Sequence, residues 1–448
     1  MSDKTVGVAL LGCGTVGGGV VNILRDHHDT LLRRTGLDFQ LRHVAVKGPE
    51  DYPPNADQLP MTTDANSAID DPDSHVVIEL VGGITVANAF IERALRLGKP
   101  VITANKSLLA LRGHELFALA RQHNTCVAFE ASVGGGIPII DAVLRGLVAN
   151  RIDAILGIVN GTCNFILTQM TRHAWSYDHA LKEAQKQGFA EANPTLDVSG
   201  RDAAQKLAIL ASLAFNVRVV ESDIHLEGID RLQPDDILFA KELGYVIKLL
   251  AIAERNPNHS PAAAEHASLS LRVHPTLVHK DDVLADVPGP FNAISIYGHA
   301  LGHVLFYGRG AGRTPTASAV VADLVGVALG ATPLTFKQLR TYPDLTPKAN
   351  VLPFDQLRSR YYIRLMANDR PGVLAQITAA LGRHAISLSA ILQREGRDAD
   401  HVPVVITTHA ANEGAMQAAL AEIDALPAIA PPTVCLRIVD PPTEFAAD

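Results

Sequence analysis

An apolar run that leads directly into a glycine-rich turn constrains the fold of this chain more than any other feature. Residues 6–23 read VGVALLGCGTVGGGVVNI, which predicts a strand, a turn and the start of a helix in immediate succession. In this context Gly12 permits a tight turn, Gly14 lets the backbone approach a pyrophosphate, and Gly17 allows close packing of helix on strand. The free N–H groups of the helix N-terminus suit the phosphates. The pattern predicts a dinucleotide-binding domain; a glycine turn without a ligand is the alternative.

Further apolar strands alternate with helices up to about residue 140, which is typical of a doubly wound parallel sheet. The second strand, LRHVAVK, ends at Lys47, where a cation suits the 2′-phosphate of NADP and an acid would suit the ribose of NAD. An ordinary charged strand end explains Lys47 equally well. The strand VITANK places Thr103 and Lys106 at its carboxyl end, the edge at which open parallel sheets bind ligands.

These features define a Rossmann-type domain over residues 1–140, and a helix within residues 308–332 is expected to pack back onto it and complete it. Its cofactor is NADP or NAD, and the sequence does not decide between the two. The residues predicted to contact the cofactor are Gly12, Gly14, Thr15, Val16, Gly17, Lys47, Thr103, Lys106 and Gly312.

Composition and charge exclude several classes of partner. The chain of 448 residues carries a formal net charge of −8, whereas nucleic-acid binding favours a basic surface. No apolar run reaches the length of a membrane span, and the N-terminal MSDKTVGV lacks a signal-peptide pattern. The four cysteines form no C-x-x-C pair and the histidines show no metal-binding spacing, which predicts a cytoplasmic protein without a transition-metal site.

The stretch from Asn160 to Lys206 brings three carboxylates and an amine together in sequence. Glu191, Asp197 and Asp202 lie around a loop punctuated by Pro and Gly, and Lys206 follows in an apolar, Ala-rich helix. Asp202 and Lys206 are four residues apart, so they share one face of that helix. A lysine held by carboxylates beside a pocket is a candidate proton donor, whereas a surface salt bridge is the simpler interpretation of the pair.

The rest of the chain predicts two more parts and a linker. Residues 141–307 mix strands with helices, including a helical run from Asp236 to Glu254, and indicate an α+β substrate-binding domain of the kind that often forms dimer interfaces. Residues 333–360 hold four prolines and indicate a linker. Residues 361–440 follow the order βαββαβ, a ferredoxin-like unit. Because a Pro-rich linker precedes it, we expect this unit to fold and act semi-independently.

A series of motifs appears in one order along nearly the whole chain: GCGTVG, ELVGG, TANK, EASVGGGIPII, NGTCNFILT, GFAEANPTLDVSGRDAAQKL and GAGRTPTASAVVADL. Together they resemble the homoserine dehydrogenase family, in the long form that carries a C-terminal ACT domain. The DRPGVL turn resembles ACT domains, which commonly bind amino acids as feedback signals. The resemblance implies NAD(P)-dependent interconversion of L-aspartate 4-semialdehyde and L-homoserine, a step that feeds threonine, methionine and isoleucine synthesis.

The resemblance also implies roles for individual side chains. Lys206 would be the proton donor, with Asp202 as its partner. Glu191 and Asp197 would hold the amino-acid end of the substrate. Lys106 would lie between the cofactor and the substrate, so it counts as a catalytic, a substrate-binding and a cofactor-binding residue.

Three further expectations rest on the same resemblance. Backbone carbonyls would bind a monovalent cation, sodium, with a cation-free turn as the alternative; the residues are Glu130, Val133, Gly135 and Ile137. An amino-acid effector, for which threonine is the natural candidate, would bind at the turn of Asp369, Arg370, Gly372, Val373 and Leu374, in a homodimer or homotetramer. Asn193 stands where the family usually has Asp, so we expect at most altered substrate contacts there.

Two other functions stay open at this point. A phosphorylating aldehyde dehydrogenase would use Cys163 or Cys126 as a nucleophile, but NGTCN holds no neighbouring base, and a packed structural cysteine is the alternative. A regulatory protein built on an inactive dehydrogenase would not need the full set of carboxylates and lysines. Oxidation of NAD(P)H in the presence of the semialdehyde distinguishes all three.

Overall fold

The computed structural model describes residues 4–53, 56–256, 268–393 and 401–440. The chain forms two compact units, and each of them is discontinuous in sequence. Unit 1 comprises Met1–Ile152, Ala203–Ile224 and Phe291–Ala349. Unit 2 comprises Asp153–Asp202, His225–Pro290 and Asn350–Asp448.

The strands in the described ranges are numbered in chain order. They are β1 Lys4–Leu11, β2 Leu37–Ala45, β3 Met61–Thr62, β4 Val76–Glu79, β5 Val101–Thr103, β6 Val127–Ala128, β7 Ile152–Ile158, β8 His225–Leu226, β9 Tyr245–Arg255, β10 Leu269–His279, β11 Phe291–Gly298, β12 Gly302–Arg309, β13 Arg358–Asn368, β14 Leu388–Gln393, β15 His401–Thr408, β16 Ala411–Asn412 and β17 Ile429–Ile438.

The helices of the same ranges are numbered likewise. They are α1 Thr15–Asp26, α2 His28–Thr35, α3 Ala65–Asp70, α4 Thr85–Arg96, α5 Lys106–Gln122, α6 Ile139–Asp141, α7 Gly161–His173, α8 Tyr177–Lys186, α9 Thr195–Val198, α10 Arg201–Phe215, α11 Pro234–Glu242, α12 Arg313–Ala328, α13 Ala331–Gln338, α14 Val373–Arg383 and α15 Glu413–Asp424.

The first sheet of unit 1 confirms the predicted doubly wound fold. Its order is β3-β2-β1-β4-β5-β6, and the paired strands run parallel. The central strands β1 and β4 are buried almost throughout, as expected for a sheet that helices cover on both faces. The order reverses between β1 and β4, so a crevice opens there at the carboxyl ends of the strands, next to the glycine turn.

Later parts of the chain return to unit 1, as expected for residues 308–332. Helix α12 packs closely on α1, because a Cβ on Gly19 would lie 2.9 Å from the Cβ of Ala317. The antiparallel hairpin of β11 and β12 also belongs to this unit, although the sequence predicts it within the domain 141–307. Its end packs on the loop after β6, where a Cβ on Gly135 would lie 2.5 Å from the carbonyl oxygen of Gly310.

Residues 333–360 are more ordered than the predicted linker. Their first part continues α13, and Phe336 and Tyr342 pack edge-on at 4.8 Å between ring centroids. The guanidinium of Arg121 lies 4.3 Å from the ring of Phe336 and donates a 2.5 Å bond to Asp344. Four prolines had suggested an irregular segment, but aromatic packing fixes its course over unit 1.

Unit 2 contains a sheet of order β7-β9-β10-β17-β13-β15-β14. The helical run predicted from Asp236 to Glu254 is wrong beyond Glu242, where α11 ends, Gly244 takes a φ of +84°, and β9 begins. Strand β9 lies between β7 and β10, and its residues 247–253 are all buried. A strand buried on both faces has no alternation of polar and apolar residues, which is why the run looked helical.

The predicted βαββαβ unit is confirmed by β13, α14, β14, β15, α15 and β17, whose strands lie in the order β17-β13-β15-β14. Its core is apolar and includes Ile363, Ile377, Ile406 and Ile423. Strand β17 also pairs in parallel with β10, so the sheet continues into the rest of unit 2. Edge pairing and ion pairs also join this unit to its neighbours, and its semi-independent folding stays a prediction.

The most enclosed of these ion pairs joins β13 to α11. Arg364 donates to both carboxylate oxygens of Asp236, at 2.6 and 3.2 Å, and to the side chain of Gln233 at 2.9 Å. The two side chains of the ion pair are 6% and 0% exposed. Loss of Arg364 would leave the carboxylate of Asp236 buried without its counter-charge.

No single helix within the described ranges is long and apolar enough to cross a membrane. Only α12 and α13 taken together meet those criteria, and they are bent by 79° at the break between them.

We predict that Arg364→Met lowers the free energy of unfolding by about 3–5 kcal/mol, because it strands the carboxylate of Asp236. Chemical denaturation of the full chain measures the change. Arg383→Met is the matched control, since its ion pair with Glu422 is largely exposed. Equal small losses of stability in both variants would contradict a stabilising role for the ion pair of Arg364 and Asp236.

Candidate active site

The glycine turn forms one wall of an open cleft in unit 1. Gly12 has a φ of +94°, and a Cβ there would lie 2.6 Å from the carbonyl oxygen of Leu80. A Cβ on Gly17 would lie 2.1 Å from the carbonyl oxygen of Gly12, so both positions require glycine. A Cβ on Gly14 would meet no atom within 4 Å. Gly14 therefore leaves room on the cleft side, as a pyrophosphate at the N-terminus of α1 requires.

The cleft has a volume of about 330 Å³. Two further loops, after β4 and β5, line it together with the glycine turn. The lining residues are Gly14, Thr15, Val16, Gly17, Glu79, Leu80, Gly82, Gly83, Ala104, Asn105, Lys106 and Ser107. The structure thus brings five of the predicted cofactor residues to one surface: Gly14, Thr15, Val16, Gly17 and Lys106.

A buried carboxylate that the sequence analysis missed ties these loops together. Glu79, at the end of β4, is 0% exposed and accepts bonds from the backbone N–H groups of Val81 and Gly82 at 2.8 and 3.0 Å. Its other oxygen accepts a 2.7 Å bond from the hydroxyl of Thr103. That hydroxyl in turn accepts from the N–H of Asn105, the N-cap of α5. Thr103 therefore shapes the cleft wall from behind.

Three other predicted cofactor residues do not line the cleft. Gly12 lies behind it in the turn. Lys47 is exposed and lies two residues beyond the end of β2. The last residue of β2, Ala45, accepts a bond at its carbonyl from the N–H of Gly12. Gly312 is the N-cap of α12 with a φ of +126°. Their contacts with a cofactor stay predictions.

Two lysines flank a single hydrogen bond within unit 1. The hydroxyl of Ser107 donates to the side chain of Gln205 at 2.8 Å, which joins the start of α5 to α10. Lys106 precedes Ser107 and is half-buried, and Lys206 follows Gln205 and is 8% exposed. This bond holds the backbones of the two predicted catalytic lysines close together. Gln205 had no predicted role.

Asn160 organises the carboxylates of unit 2. Its amide nitrogen donates to Asp197 at 2.8 Å and to Asp202 at 2.7 Å. Its side-chain oxygen accepts the N–H of Cys163 and caps α7. The NGTCN motif contributes to the family resemblance, but the sequence predicts no role for Asn160. Asn160 directly precedes Gly161, the first residue of α7, and Asn is a preferred N-cap residue. This pattern could have identified Asn160 as a structural residue.

The rest of the NGTC motif supports Asp197. The hydroxyl of Thr162 lies 2.6 Å from the carbonyl oxygen of Phe189, to which it donates, and 3.3 Å from the carboxylate of Asp197. The thiol of Cys163 donates to the carbonyl of Asp197 at 3.2 Å. Cys163 is fully buried, as a packed residue would be. The other suggested nucleophile, Cys126, is also buried, and desolvation raises its pKa to about 12, so its thiol stays protonated.

The loop before α9 carries the remaining predicted substrate residue. Glu191 is exposed, and its carbonyl accepts a bond from Gln185 at 3.2 Å. Asn193 accepts bonds at its amide oxygen from the N–H and the hydroxyl of Thr195, at 3.2 and 2.7 Å. A carboxylate makes the same two bonds, so the change from Asp to Asn keeps this turn. Glu191 is not brought against Asp197 by any bond that the structure describes.

A buried ammonium lies behind α7 and was also missed. Lys248 of β9 is 3% exposed and donates to the carbonyl of Val287 at 2.6 Å and to the side chain of Asn164 at 3.2 Å. Desolvation lowers the pKa of Lys248 to about 8. The amide of Asn164 donates to the carbonyls of Val287 and Gly289, so this cluster fixes the loop before β11 against α7.

The loop expected to bind sodium contains Glu130, which is 6% exposed and is bonded to the partly exposed Asp323 of α12. Glu130 accepts at its side chain from the N–H groups of Ile140 and Asp141, both at 2.8 Å. Its own N–H donates to Asp323 at 2.9 Å. Desolvation raises the pKa of Glu130 to about 7, and desolvation together with the charge of Glu130 raises the pKa of Asp323 well above its usual range. The cation site itself stays a prediction.

The predicted effector turn is largely exposed. Gly372, with a φ of +92°, caps α14, and Asp369 accepts a long 3.4 Å bond from Gln393 of β14. Val373 packs into the core, while Leu374 is 37% exposed. An effector role for Asp369, Arg370, Gly372, Val373 and Leu374 stays a prediction.

Three family models match successive parts of the chain. A model described as the NAD-binding domain of homoserine dehydrogenase matches residues 12–130, one described as homoserine dehydrogenase matches residues 138–325, and an ACT domain model matches residues 361–428. Together they follow the order of the parts expected from the sequence.

Relatives are similar over almost the full length. A homoserine dehydrogenase of Pseudomonas aeruginosa is 42% identical over 97% of this chain and 99% of its own. One of Neisseria gonorrhoeae is 40% identical over 97% and 99%. Among solved structures, a homoserine dehydrogenase from Thiobacillus denitrificans has 43% identity and a TM-score of 0.90, and covers 98% of this chain and 99% of its own.

The carboxyl pair of Glu130 and Asp323 makes stability depend on pH. A carboxyl whose pKa is raised in the folded state stabilises below its unfolded pKa, and that contribution is lost as the pH rises through the folded pKa. We expect the contribution of this pair to the free energy of unfolding to fall as the pH rises from about 5 to about 8, whereas the lowered pKa of the buried His274 acts in the opposite direction. Asp323→Asn should flatten this decline, because it removes one raised group and its repulsion of Glu130 while an oxygen remains to accept the Glu130 N–H.

Thermal denaturation at several pH values measures both slopes. Asp26→Asn is the control, because Asp26 is exposed and pairs only with its neighbour Arg25 among the bonds described. Parallel slopes for wild type and Asp323→Asn would contradict the account.

Proposed function

The chain belongs to the homoserine dehydrogenase family of NAD(P)-dependent oxidoreductases, which act on the CH–OH group of homoserine, and we propose which of its residues carry the reaction. L-aspartate 4-semialdehyde and NAD(P)H interconvert with L-homoserine and NAD(P)⁺. The nicotinamide, when bound, supplies or accepts the hydride. The protein must therefore supply a proton at the aldehyde oxygen and hold the amino-acid end of the substrate.

Lys206 is the proposed general acid for reduction and general base for oxidation. It is largely buried, and α10 carries Asp202 in its first turn and Lys206 one turn later. A carboxylate near an ammonium orients it, which a proton donor needs. A solvated surface pair, the simpler alternative, does not fit exposures of 4% for Asp202 and 8% for Lys206.

Asp197 and Glu191 are the proposed partners of the substrate ammonium. The observation that carries the whole proposal is the bond pair from Asn160 to Asp197 and Asp202. This bond pair fixes the distance between Asp197, the proposed partner of the substrate, and Asp202, the proposed partner of Lys206. Charge-assisted bonds of this kind are among the stronger ones in proteins.

The cofactor is proposed to occupy the cleft at the glycine turn. Gly14, with no atom near the position of a Cβ, and the free N-terminus of α1 support a pyrophosphate there. Lys106, at the first position of α5, lines the same cleft and adds positive charge where negative charge develops on the substrate oxygen. Lys47, exposed beyond β2, supports a preference for the 2′-phosphate of NADP.

A sodium ion at the carbonyls of Glu130, Val133, Gly135 and Ile137 is a further proposal. The left-handed φ of Gly134 and Gly135, +72° and +57°, turns the chain sharply enough for carbonyls to converge. Carbonyl oxygens suit a hard cation.

The four free cysteines agree with a reducing compartment, which supports a cytoplasmic location.

The C-terminal domain is proposed to bind an amino acid, with threonine as the candidate, at the Asp369–Leu374 turn. Among the described strands, β14 lies at the edge of its sheet and exposes Ile391 at 41%, and Leu374 is an exposed residue of the turn itself. An edge strand with exposed apolar side chains supports pairing with a second copy. A homodimer or homotetramer would then place the turn at an interface.

The reaction is tested by following NAD(P)H oxidation with L-aspartate 4-semialdehyde. Lys206→Ala should lower kcat by about 10²–10⁴-fold and change either KM far less, because proton donation acts mainly in the transition state. Lys206→Arg should not restore the rate, because a guanidinium does not release its proton at working pH. Lys186→Ala, at an exposed lysine, is the control.

A nearly normal kcat for Lys206→Ala would remove this residue from the role. Activity that requires phosphate and is lost on thiol modification would instead favour the phosphorylating aldehyde dehydrogenase. The absence of turnover in the wild-type protein would favour a purely regulatory one.

Threonine should inhibit the wild-type enzyme at millimolar concentrations, with a coupling free energy of about 1–3 kcal/mol. Asp369→Asn should raise the concentration needed for half-inhibition, because the turn would lose the carboxylate that could bind the ammonium of an amino acid. Initial rates with threonine, methionine and isoleucine measure the effect. If none of the three inhibits, the effector proposal is wrong and the domain serves assembly.

A further inference from the structure

Arg437, near the end of β17 in the C-terminal domain, holds two carboxylates at once. It donates to both oxygens of Glu413, at 3.0 and 2.6 Å, and its third nitrogen donates to Glu227 at 2.7 Å. Arg437 is 3% exposed and Glu413 is 0% exposed. Glu413 is further bonded by the hydroxyl of Tyr361 at 2.9 Å. The arm to Glu413 is internal to the C-terminal domain, whereas the arm to Glu227 leaves it.

Glu227 is held in one geometry from several sides. Its second oxygen lies 2.8 Å from the ring nitrogen of His225, and His225 stacks on Phe354 at 3.3 Å between ring centroids. The guanidinium of Arg437 lies 4.8 Å from the same Phe354 ring. Burial alone would raise the pKa of Glu227, but the bonds from His225 and Arg437 lower it to about 2, so it stays charged at any working pH.

The segment 226–229 that carries Glu227 is pressed against the turn between α9 and α10. The N–H of Ile229 donates to the carbonyl of Val198 at 2.9 Å. A Cβ on Gly228 would lie 2.6 Å from that same carbonyl oxygen, so the two backbones touch. On the other side of the turn, a Cβ on Gly200 would lie 3.0 Å from Leu226.

This turn separates the two carboxylates that Asn160 binds. Asp197 lies just before Val198, and the N–H of Gly200 donates to the carbonyl of Asp197 at 2.9 Å. Asp202 follows Gly200 by two residues. Because the turn is closely packed against segment 226–229, a shift of that segment must also move the turn. The relative position of Asp197 and Asp202 would then change.

We infer that Arg437 and Glu227 are positioning residues for Asp197 and Asp202. The C-terminal domain is thereby part of the structure that supports the substrate site. The inference rests on the proposed role of Asp197 in binding the substrate. It requires no effector, since the bonds that Arg437 makes to Glu413 and Glu227 are present in the chain without one. The C-terminal domain would thus contribute to substrate affinity whether or not it also regulates.

Glu227→Gln tests this inference in the full-length enzyme. It removes one charge-assisted arm and leaves the bonds between Arg437 and Glu413 in place. The KM for homoserine should rise about five- to tenfold, while kcat and the KM for NADP⁺ change less than about twofold. Arg437→Lys, which keeps the charge but not the three-way geometry, should shift the KM for homoserine in the same direction.

Two variants complete the design. Glu422→Gln disrupts the exposed pair with Arg383 in the same domain and should leave every constant unchanged. Asp197→Asn reports on the proposed function itself. Thermal denaturation shows that each variant is folded at the assay temperature.

If Asp197→Asn raises the KM for homoserine but Glu227→Gln and Arg437→Lys behave like Glu422→Gln, the inference is overturned and the proposed function stands. If Asp197→Asn leaves that KM unchanged, Asp197 does not bind the substrate and both proposals fall. Increases for Asp197→Asn, Glu227→Gln and Arg437→Lys, with none for Glu422→Gln, support both.

Discussion

The double hydrogen bond from the amide of Asn160 to Asp197 and Asp202 is the interaction on which the rest of unit 2 depends. Two carboxylates held close together repel each other, and a single amide that donates one N–H to each offsets part of that repulsion. The oxygen of the same amide caps α7. One side chain therefore sets the start of a helix and the relation between two acids at once.

The surrounding contacts all maintain this arrangement. Behind α7, the ammonium of Lys248 and the amide of Asn164 fix the loop at Val287, with three bonds of 2.6–3.2 Å. Around the turn after Asp197, segment 226–229 is held by Arg437. Residues that hold an active geometry through a second layer of contacts are common in enzymes, because small displacements of reacting groups are costly. Unit 1 follows the same principle, with Glu79 fixing two loops of its cleft.

The sequence could predict what local chemistry determines. The glycine turn, the parallel sheet, the βαββαβ order and the apolar helix that carries Lys206 all follow from short patterns, and the family motifs supplied the candidate side chains. It could not predict partners that are distant in the chain. Glu79, Asn160, Lys248 and Arg437 each bond at least one group that is 24 to 210 residues away, and these distant contacts leave no pattern in the sequence around them. The cap that Asn160 forms on α7 is a local signal, but it does not indicate the contacts with Asp197 and Asp202. Strand β9 was taken for a helix because burial on both faces removes the polar alternation that identifies a strand.

The most direct test of the account is the effect of Asn160→Ala on kcat/KM for homoserine oxidation. The substitution removes the shared donor and leaves both carboxylates in place. The account predicts a loss of about 10²-fold or more, since two charge-assisted bonds are removed, with NADP⁺ affinity unchanged because the cleft of unit 1 is untouched. A folded Asn160→Ala enzyme that keeps kcat/KM within about threefold of wild type would contradict it.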